Sequence, residues 1–305
     1  ASAWAASLVA VAEARPDIGA VASIVIDGNA PERLDSCGMG LALDGMARQL
    51  DRGRPVPRLE APREVLLFSG CACLLRRKAL DEVGLFDEDF FAIFEDVDLG
   101  WRLRLSGRKI VLAPESTVFH KGHATFRTQD NSRMRYLMHR NALLAVLKNY
   151  DDENVRKIFP MAMLMAVRRA VRCSGVEKES FYLWGNTRRA LASGDPRKLS
   201  SSLDALNHLV ALDDVIRMIP GILEKRRVIQ AGRKVGDTAI LSLFDDPLRA
   251  IVEDGEYAET EAGLLEAIGL GDLFDTRSYR EKAALFPSPS DSAVSRCRDE
   301  LKALQ

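Results

Sequence analysis

An α/β region followed by an all-α region is the fold class this sequence predicts, and three observations predict it. Gly19-Ala20-Val21-Ala22-Ser23-Ile24-Val25-Ile26-Asp27 is a β-branched run that reads as a buried strand. Glu64 to Leu75 is a second apolar stretch, bounded by Pro62 and Arg76-Arg77, that fits a central strand. Beyond Asn131 the pattern changes to apolar residues at every third or fourth position, the period of packed helices.

In chain order, Ala3 to Arg15 is Ala-rich and reads as a short helix stopped ahead of Pro16-Asp17. After the Gly19–Asp27 strand, residues 28 to 62 carry Gly28-Asn29, Asp35-Ser36, Asp44-Gly45 and Arg52-Gly53-Arg54-Pro55, so they read as loop with at most short strands. Within the Glu64–Leu75 strand, Gly70 either lets a ligand or another backbone come close or is a packing glycine. Glu95 to Leu105 alternates Val97, Leu99, Trp101, Leu103 and Leu105, which by itself points to a strand. On a helix the same residues fill two buried faces, and Asp98 stands one turn from Arg102 as an ion pair. Lys109–Leu112 and Ser116–Phe119 read as short strands separated by Pro114. Helices are expected over Arg133–Tyr150, Asn154–Arg172, Lys178–Ala192, Ser201–Ile219 and Gly221–Phe244, with breakers at Ser174-Gly175, Ser193–Pro196 and Pro220-Gly221. A further helix is expected at 256–268, ahead of the polar Pro287-Ser288-Pro289-Ser290 link. A boundary at 132/133 gives regions of 1–132 and 133–305.

The 305 residues suffice for a large core and two domains. With 43 basic against 44 acidic residues there is no global field, so nucleic acid is not an expected partner. The five cysteines, at 37, 71, 73, 173 and 297, lack zinc-type spacing and read as small core residues of a reducing cytoplasm. No run of 18 apolar residues could span a bilayer, and no secretory signal is visible. Without an initial Met, and opening in mid-helix pattern, the chain is expected to be a fragment of a longer one.

The most informative stretch is Leu85-Phe86-Asp87-Glu88-Asp89-Phe90-Phe91-Ala92-Ile93-Phe94-Glu95-Asp96-Val97-Asp98-Leu99-Gly100-Trp101-Arg102, where carboxylates sit among aromatics. Such a setting suits either a salt-bridged turn or a fixed acid or base. Upstream come Ser69-Gly70-Cys71-Ala72-Cys73-Leu74-Leu75 and Val83-Gly84; downstream come Ser106-Gly107-Arg108-Lys109-Ile110, Ala113-Pro114-Glu115 and Val118-Phe119-His120. This order of elements, over roughly residues 5 to 145, resembles the second half of the GT-A (nucleotide-diphospho-sugar transferase-like) catalytic domain of family 2 glycosyltransferases, the inverting enzymes that use nucleotide sugars. Ile93 departs from it, standing where family members often carry an aromatic.

The resemblance implies an acceptor-side half of a GT-A domain over 1–132, lacking its nucleotide-binding half, followed by a helical domain over 133–305. It implies Asp96 as general base, taking the acceptor hydroxyl's proton on the face opposite the leaving nucleoside diphosphate. The positive end of a helix dipole there would favour the charged carboxylate, and simple helix capping is the alternative role. Glu95 would orient the site or bond the acceptor. Asp96-Val97-Asp98 is not the family's metal-binding Asp-X-Asp, because side chains two apart on a helix point about 200° apart. His120 would join a divalent cation, Mn or Mg, bound only in the complete enzyme. His123 would reach the diphosphate or only solvent. Gly70 and Arg102 are further candidates for substrate contact, and Arg133, Arg135, Arg140 and Asn141 suit phosphate or a solvated helix face. Val155 to Arg172 mixes apolar and basic residues and would lie either on an anionic membrane surface or against neighbouring helices.

The expected function is inverting transfer of a sugar from a nucleotide-sugar donor to a glycan or lipid-linked acceptor. It would serve cell-surface polysaccharide synthesis, in the cytoplasm or peripherally on the cytoplasmic face of the membrane, with this stretch of chain inactive alone. The alternative, of another class, is a non-catalytic binding or assembly module that engages a partner or membrane through its helices.

Overall fold

The computed structural model describes residues 2–121, 131–174, 203–244, 260 and 263–270. Helix α1 (Ser2–Ala14) leads into β1 (Ile18–Asp27), which is buried along nearly its whole length. Strands β2 (Ala30–Ser36), β3 (Met39–Leu41), β4 (Ala47–Gln49), β5 (Arg63–Glu64) and β6 (Cys73–Leu75) follow. Then come α2 (Arg77–Val83), a 3-10 turn at Glu88–Phe90, α3 (Glu95–Leu105) and β7 (Lys109–His120). The helical region holds α4 (Asn131–Asn149), α5 (Asp152–Ser174), α6 (Leu203–Ala231) and α7 (Asp237–Leu241). The architecture is thus α/β followed by helices.

The sheet is mixed. Strand β1 lies parallel to β7 on one side, and β2 and β6 line its other side antiparallel to it. The short β5 pairs with β7 at the far edge. This parallel pair sets Asp27 opposite His120, while β2 brings Leu34 and Ser36 beside Ile26 and Val25. The ends of three strands therefore converge where Asp35 and His120 meet.

Three expectations are corrected here. Glu64–Leu75 is not one central strand: only Arg63–Glu64 and Cys73–Leu75 are strand, at different places in the sheet. Between them the chain crosses the core, with Val65 to Phe68 at most 5% exposed. Its polar groups find scattered partners: Val65 N–H donates to Ile110 O, Met39 N–H to Leu67 O, and Arg104 Nε to Leu66 O at 3.0 Å. Burial on all sides gives the same apolar signature as a central strand. Second, Lys109–His120 is one strand rather than two, and Pro114 lies in a bulge where the β1 register jumps from Ala22↔Leu112 to Ile24↔Thr117. A bulge leaves a residue unpaired, so proline's missing N–H costs nothing there. Third, Pro220-Gly221 does not divide two helices, since α6 runs through it. Val215 and Ile222, both fully buried, anchor the helix on either side of the proline.

Helix α3 is a helix, as the resemblance implied and the alternation did not. Every residue from Asp96 to Leu105 is buried, so the helix is enclosed on both faces. The helices expected over 178–192, and all but the last part of that over 256–268, fall outside the described residues, where 263–267 is helical. Trp101 meets the Tyr150 ring edge-on at 4.8 Å, within an apolar cluster that includes Met39, Leu67, Leu143, Met161 and Val215. One core thus joins α3 to helices from the second region.

Gly45 shows how closely the parts approach. Its φ is +84°, and a Cβ there would lie 2.2 Å from the backbone oxygen of Ala142 in α4. Gly45→Ala is expected to destabilise the fold by about 3 kcal/mol or more, since neither the left-handed backbone nor a rigid helix carbonyl can yield. Urea unfolding midpoints of the two proteins check this.

Candidate active site

The turn before α3 has an unusual backbone. Phe91, Ile93 and Phe94 have φ of 59°, 67° and 68°, the left-handed region that side chains with a Cβ avoid. Helix α4 supplies what holds them. Asn141 Nδ2 lies within hydrogen-bond reach of three carbonyls, Phe90 O at 2.9 Å, Ala92 O at 2.9 Å and Ile93 O at 2.5 Å. Arg140 donates to Asp89 O at 2.7 Å and to Phe90 O at 3.2 Å. Asp87 caps the 3-10 turn through Asp89 N–H and accepts from Lys148 Nζ at 2.5 Å. Lys148 is 1% exposed, bridges on to Asp98 at 2.9 Å, and rests over the Phe90 ring.

The strained turn delivers Glu95 and Asp96 to the start of α3. Asp96 Oδ2 accepts from Gly70 N–H at 2.7 Å, and Oδ1 accepts from Val97 N–H at 2.8 Å. The carboxylate is 9% exposed, beneath the exposed Gly70-Cys71 segment. Burial pushes the Asp96 carboxyl up to about 6, reinforced by the Glu95 charge and opposed by the Gly70 N–H. The expected preference for the charged form is thus outweighed by desolvation, which leaves a carboxylate matched to proton transfer near neutral pH. Gly70 is placed by this contact: a Cβ there would lie 3.2 Å from both the Cβ and Oδ2 of Asp96. Glu95 is half-buried, and its Oε2 is buried with no hydrogen-bond partner, an acceptor held away from water.

His120 stands at the end of β7, half-exposed, with Nδ1 2.8 Å from Asp35 Oδ2. Because a carboxylate only accepts, Nδ1 carries the proton in this bond, so in a neutral imidazole Nε2 is the nitrogen that keeps a lone pair. That is the form in which an imidazole binds a metal. Among the described residues no three His, Cys, Asp or Glu groups gather as a metal site, so His120 contributes at most one ligand of such a set. Cys71 links the two halves: although the residue is exposed, partial desolvation of its thiol raises it, and the charges of Asp35 and Asp96 both add to the shift. Cys37 and Cys73 are likewise free thiols; Cys37 is buried, Cys73 only half-buried, and Cys71 exposed, so of these three described cysteines the core reading holds fully at Cys37.

Two candidates prove to be occupied elsewhere. Arg102 is 6% exposed; Nε donates to Asp98 at 2.9 Å and the guanidinium reaches the carbonyls of Val83, Gly84 and Leu85. It fastens the turn after α2 instead of facing a substrate. Arg140 is spent on the 89–90 backbone, Asn141 Oδ1 and the Tyr136 hydroxyl, so it positions the turn. Asp98 forms the expected ion pair with Arg102 and also accepts from Asn149 at 3.1 Å, so its direction differs from that of Asp96. His123 lies outside the described residues. Asp35 was missed, because in sequence Asp35-Ser36 reads as turn chemistry and only strand register carries it to His120.

Comparison with known proteins fits this geometry. Residues 53–177 match the model of glycosyl transferase family group 2, a span that contains Gly70, the strained turn, Asp96, His120 and Asn141. Over these residues the chain is similar to the glycosyltransferases of that family. Two curated relatives are N-acetylglucosaminyl-diphospho-decaprenol L-rhamnosyltransferases of Mycobacterium tuberculosis strains CDC 1551 and H37Rv, each 47% identical over 72 residues. Those matches cover 23% of this chain and 24% of the relative. The O-antigen biosynthesis protein RfbC of Myxococcus xanthus is 30% identical over 132 residues, covering 41% of this chain and 10% of that protein. The chain therefore spans about a quarter or less of the curated relatives it matches. Asp35, and all of α6, lie outside the family match.

Replacing Asn141 by Ala leaves three turn carbonyls without their shared donor. A loss of about 2 kcal/mol is expected from the amide's two N–H groups, at about 1 kcal/mol each. Chemical denaturation of Asn141→Ala checks it, and Asn141→Gln is expected not to rescue, since its amide is displaced by a methylene.

Proposed function

We propose that this chain is the acceptor-side part of an inverting glycosyltransferase that moves a sugar from a nucleotide-diphosphate donor to a glycan or lipid-linked acceptor in cell-surface polysaccharide synthesis. The observation that carries the reading is the Asp96 carboxylate, buried at the start of α3 with its proton affinity raised to about 6, inside the family-matched span. The 1–132 and 133–305 regions are proposed as its catalytic and helical parts.

In this reading the acceptor hydroxyl meets Asp96 at the Gly70-Cys71 edge. As the acceptor oxygen bonds to the anomeric carbon, the bond from that carbon to the diphosphate oxygen breaks on the opposite face, and the hydroxyl proton passes to Asp96. Gly70 N–H fixes the carboxylate on one oxygen, which keeps it from rotating away. The dry Oε2 of Glu95 is an acceptor for a second hydroxyl of the sugar. A divalent cation, when bound, would neutralise the leaving diphosphate. His120 Nε2 is the nitrogen available to it, with Asp35 holding the ring, and its other ligands would come from outside the described residues.

A lipid-linked acceptor would bring the protein to the cytoplasmic face of a membrane. No helix among the described residues is long and apolar enough to cross one. Helix α5 buries Ile158, Met161 and Met165 inward and exposes Leu164, Val167 and Val171 outward, which supports peripheral contact. The same face favours the second reading, a module that binds a membrane or partner without catalysis.

Transfer assays decide between them. The chain is expected to show no turnover of nucleotide sugar alone, and to gain it when the sequence encoded upstream is restored. In that longer protein Asp96→Asn is expected to lower kcat at least about 1000-fold with donor binding kept. The base works only without its proton, so activity should fall tenfold per unit as pH drops below about 6 and level off above it. Full activity in Asp96→Asn would remove Asp96 from the role of base, whereas no turnover by the longer protein itself would leave the module reading standing.

A further inference from the structure

We propose that Lys225 of α6 is a positioning residue for transfer, a latch by which the C-terminal helices hold the turn that aims Asp96. The proposal rests on the base reading above and extends it to a part of the chain beyond the family-matched residues 53–177. Lys225 Nζ lies 2.5 Å from Asp87 Oδ1 and 2.5 Å from Asp89 Oδ2, so one ammonium spans the first half of the turn. Asp87 Oδ1 is also the atom that accepts from Asp89 N–H, which places the latch on the cap of the 3-10 turn itself. Burial works against charge on Asp87, yet Lys148 and Lys225 together carry its carboxyl down to about 2. The ammonium stands between the two carboxylates and offsets their mutual repulsion.

Lys225 and Lys148 differ in a way that makes the idea testable. Lys148 is enclosed and also serves Asp98, so its loss would strip a cation from two buried acids at once. Lys225 is 40% exposed, and Asp87 keeps Lys148 when Lys225 is gone. Helix α6 has other fastenings to α4: Arg226 donates to Leu147 O at 2.8 Å and Tyr150 O at 2.5 Å, and Gln230 donates to Lys148 O at 3.0 Å. Lys225→Met therefore releases the turn without undocking the helix. A turn holding three left-handed residues is under strain, and loosening one half allows the other to relax. Small displacements of a catalytic group cost large factors in rate.

The test uses Lys225→Met and Lys225→Arg. In the chain as it stands, amide exchange of the 86–95 segment is expected to speed up at least about threefold in Lys225→Met, with exchange of α4 and α6 unchanged. In the protein extended upstream, kcat is expected to fall about tenfold with donor KM within about twofold, and Lys225→Arg is expected to recover most of it. Because the latch is half-exposed, salt should narrow the gap between wild type and Lys225→Met. Exchange and kcat equal to wild type in Lys225→Met would overturn the latch, as would a loss of activity that only tracks a lower melting temperature. Asp96→Asn run alongside separates the two ideas, since turnover retained there removes the base assignment whatever the exchange data give.

Discussion

Three residues with side chains, Phe91, Ile93 and Phe94, hold a left-handed backbone immediately before the candidate base, and the site depends on what keeps them there. Each such residue costs of order 1–2 kcal/mol, so the turn cannot persist on local preference. Its support comes from α4, where Arg140 and Asn141 take the carbonyls of residues 89, 90, 92 and 93 and Lys148 takes the acids at either end. The outcome is a sharp entry into α3 that turns Asp96 toward Gly70 while Asp98 faces the helices. Two carboxylates two residues apart thus have opposite environments, one with cations and one without.

That division sets their chemistry. Asp98 is fully buried among Lys148, Arg102 and Asn149, a structural anchor. Asp96 is nearly as buried but has only backbone N–H groups and the like charge of Glu95 beside it, so desolvation dominates and its proton affinity rises. The arginines of α3 serve the frame in the same manner. Arg102 gathers the carbonyls of residues 83 to 85, and Arg104 those of residues 65, 66 and 110, on opposite sides of the helix. Buried cations facing backbone, instead of ligand, explain why a sequence rich in arginine near the site offers so few arginines to a substrate.

Sequence carried α1, β1, α3 and the start of the helical region because each has a local cause: an Ala-rich run, a β-branched run, an ordered motif, a 3.6-residue period. It failed where a long-range cause replaced a local one. The apolar stretch at 64–75 owes its character to crossing a core, and β7 and α6 continue through prolines because their partners hold them on both sides. At the site, the motif order singled out Asp96, Glu95 and His120, whose roles are the proposal made above. Arg102 and Arg140 were misread, since residue type alone does not distinguish a guanidinium aimed at phosphate from one aimed at carbonyls. Asp35 was invisible, because its meeting with His120 follows from the pairing of β2 with β1 and of β1 with β7.

The bonds from Asn141 to the turn reach back 48 to 51 residues along the chain. A ribosome adds about 5–20 residues per second, so for several seconds the nascent turn exists with nothing to restrain it. During that interval residues 91 to 94 are free to take ordinary backbone angles, and α3 has no fixed starting point. The candidate base is accordingly aimed only once α4, 48 to 51 residues further along, has left the exit tunnel.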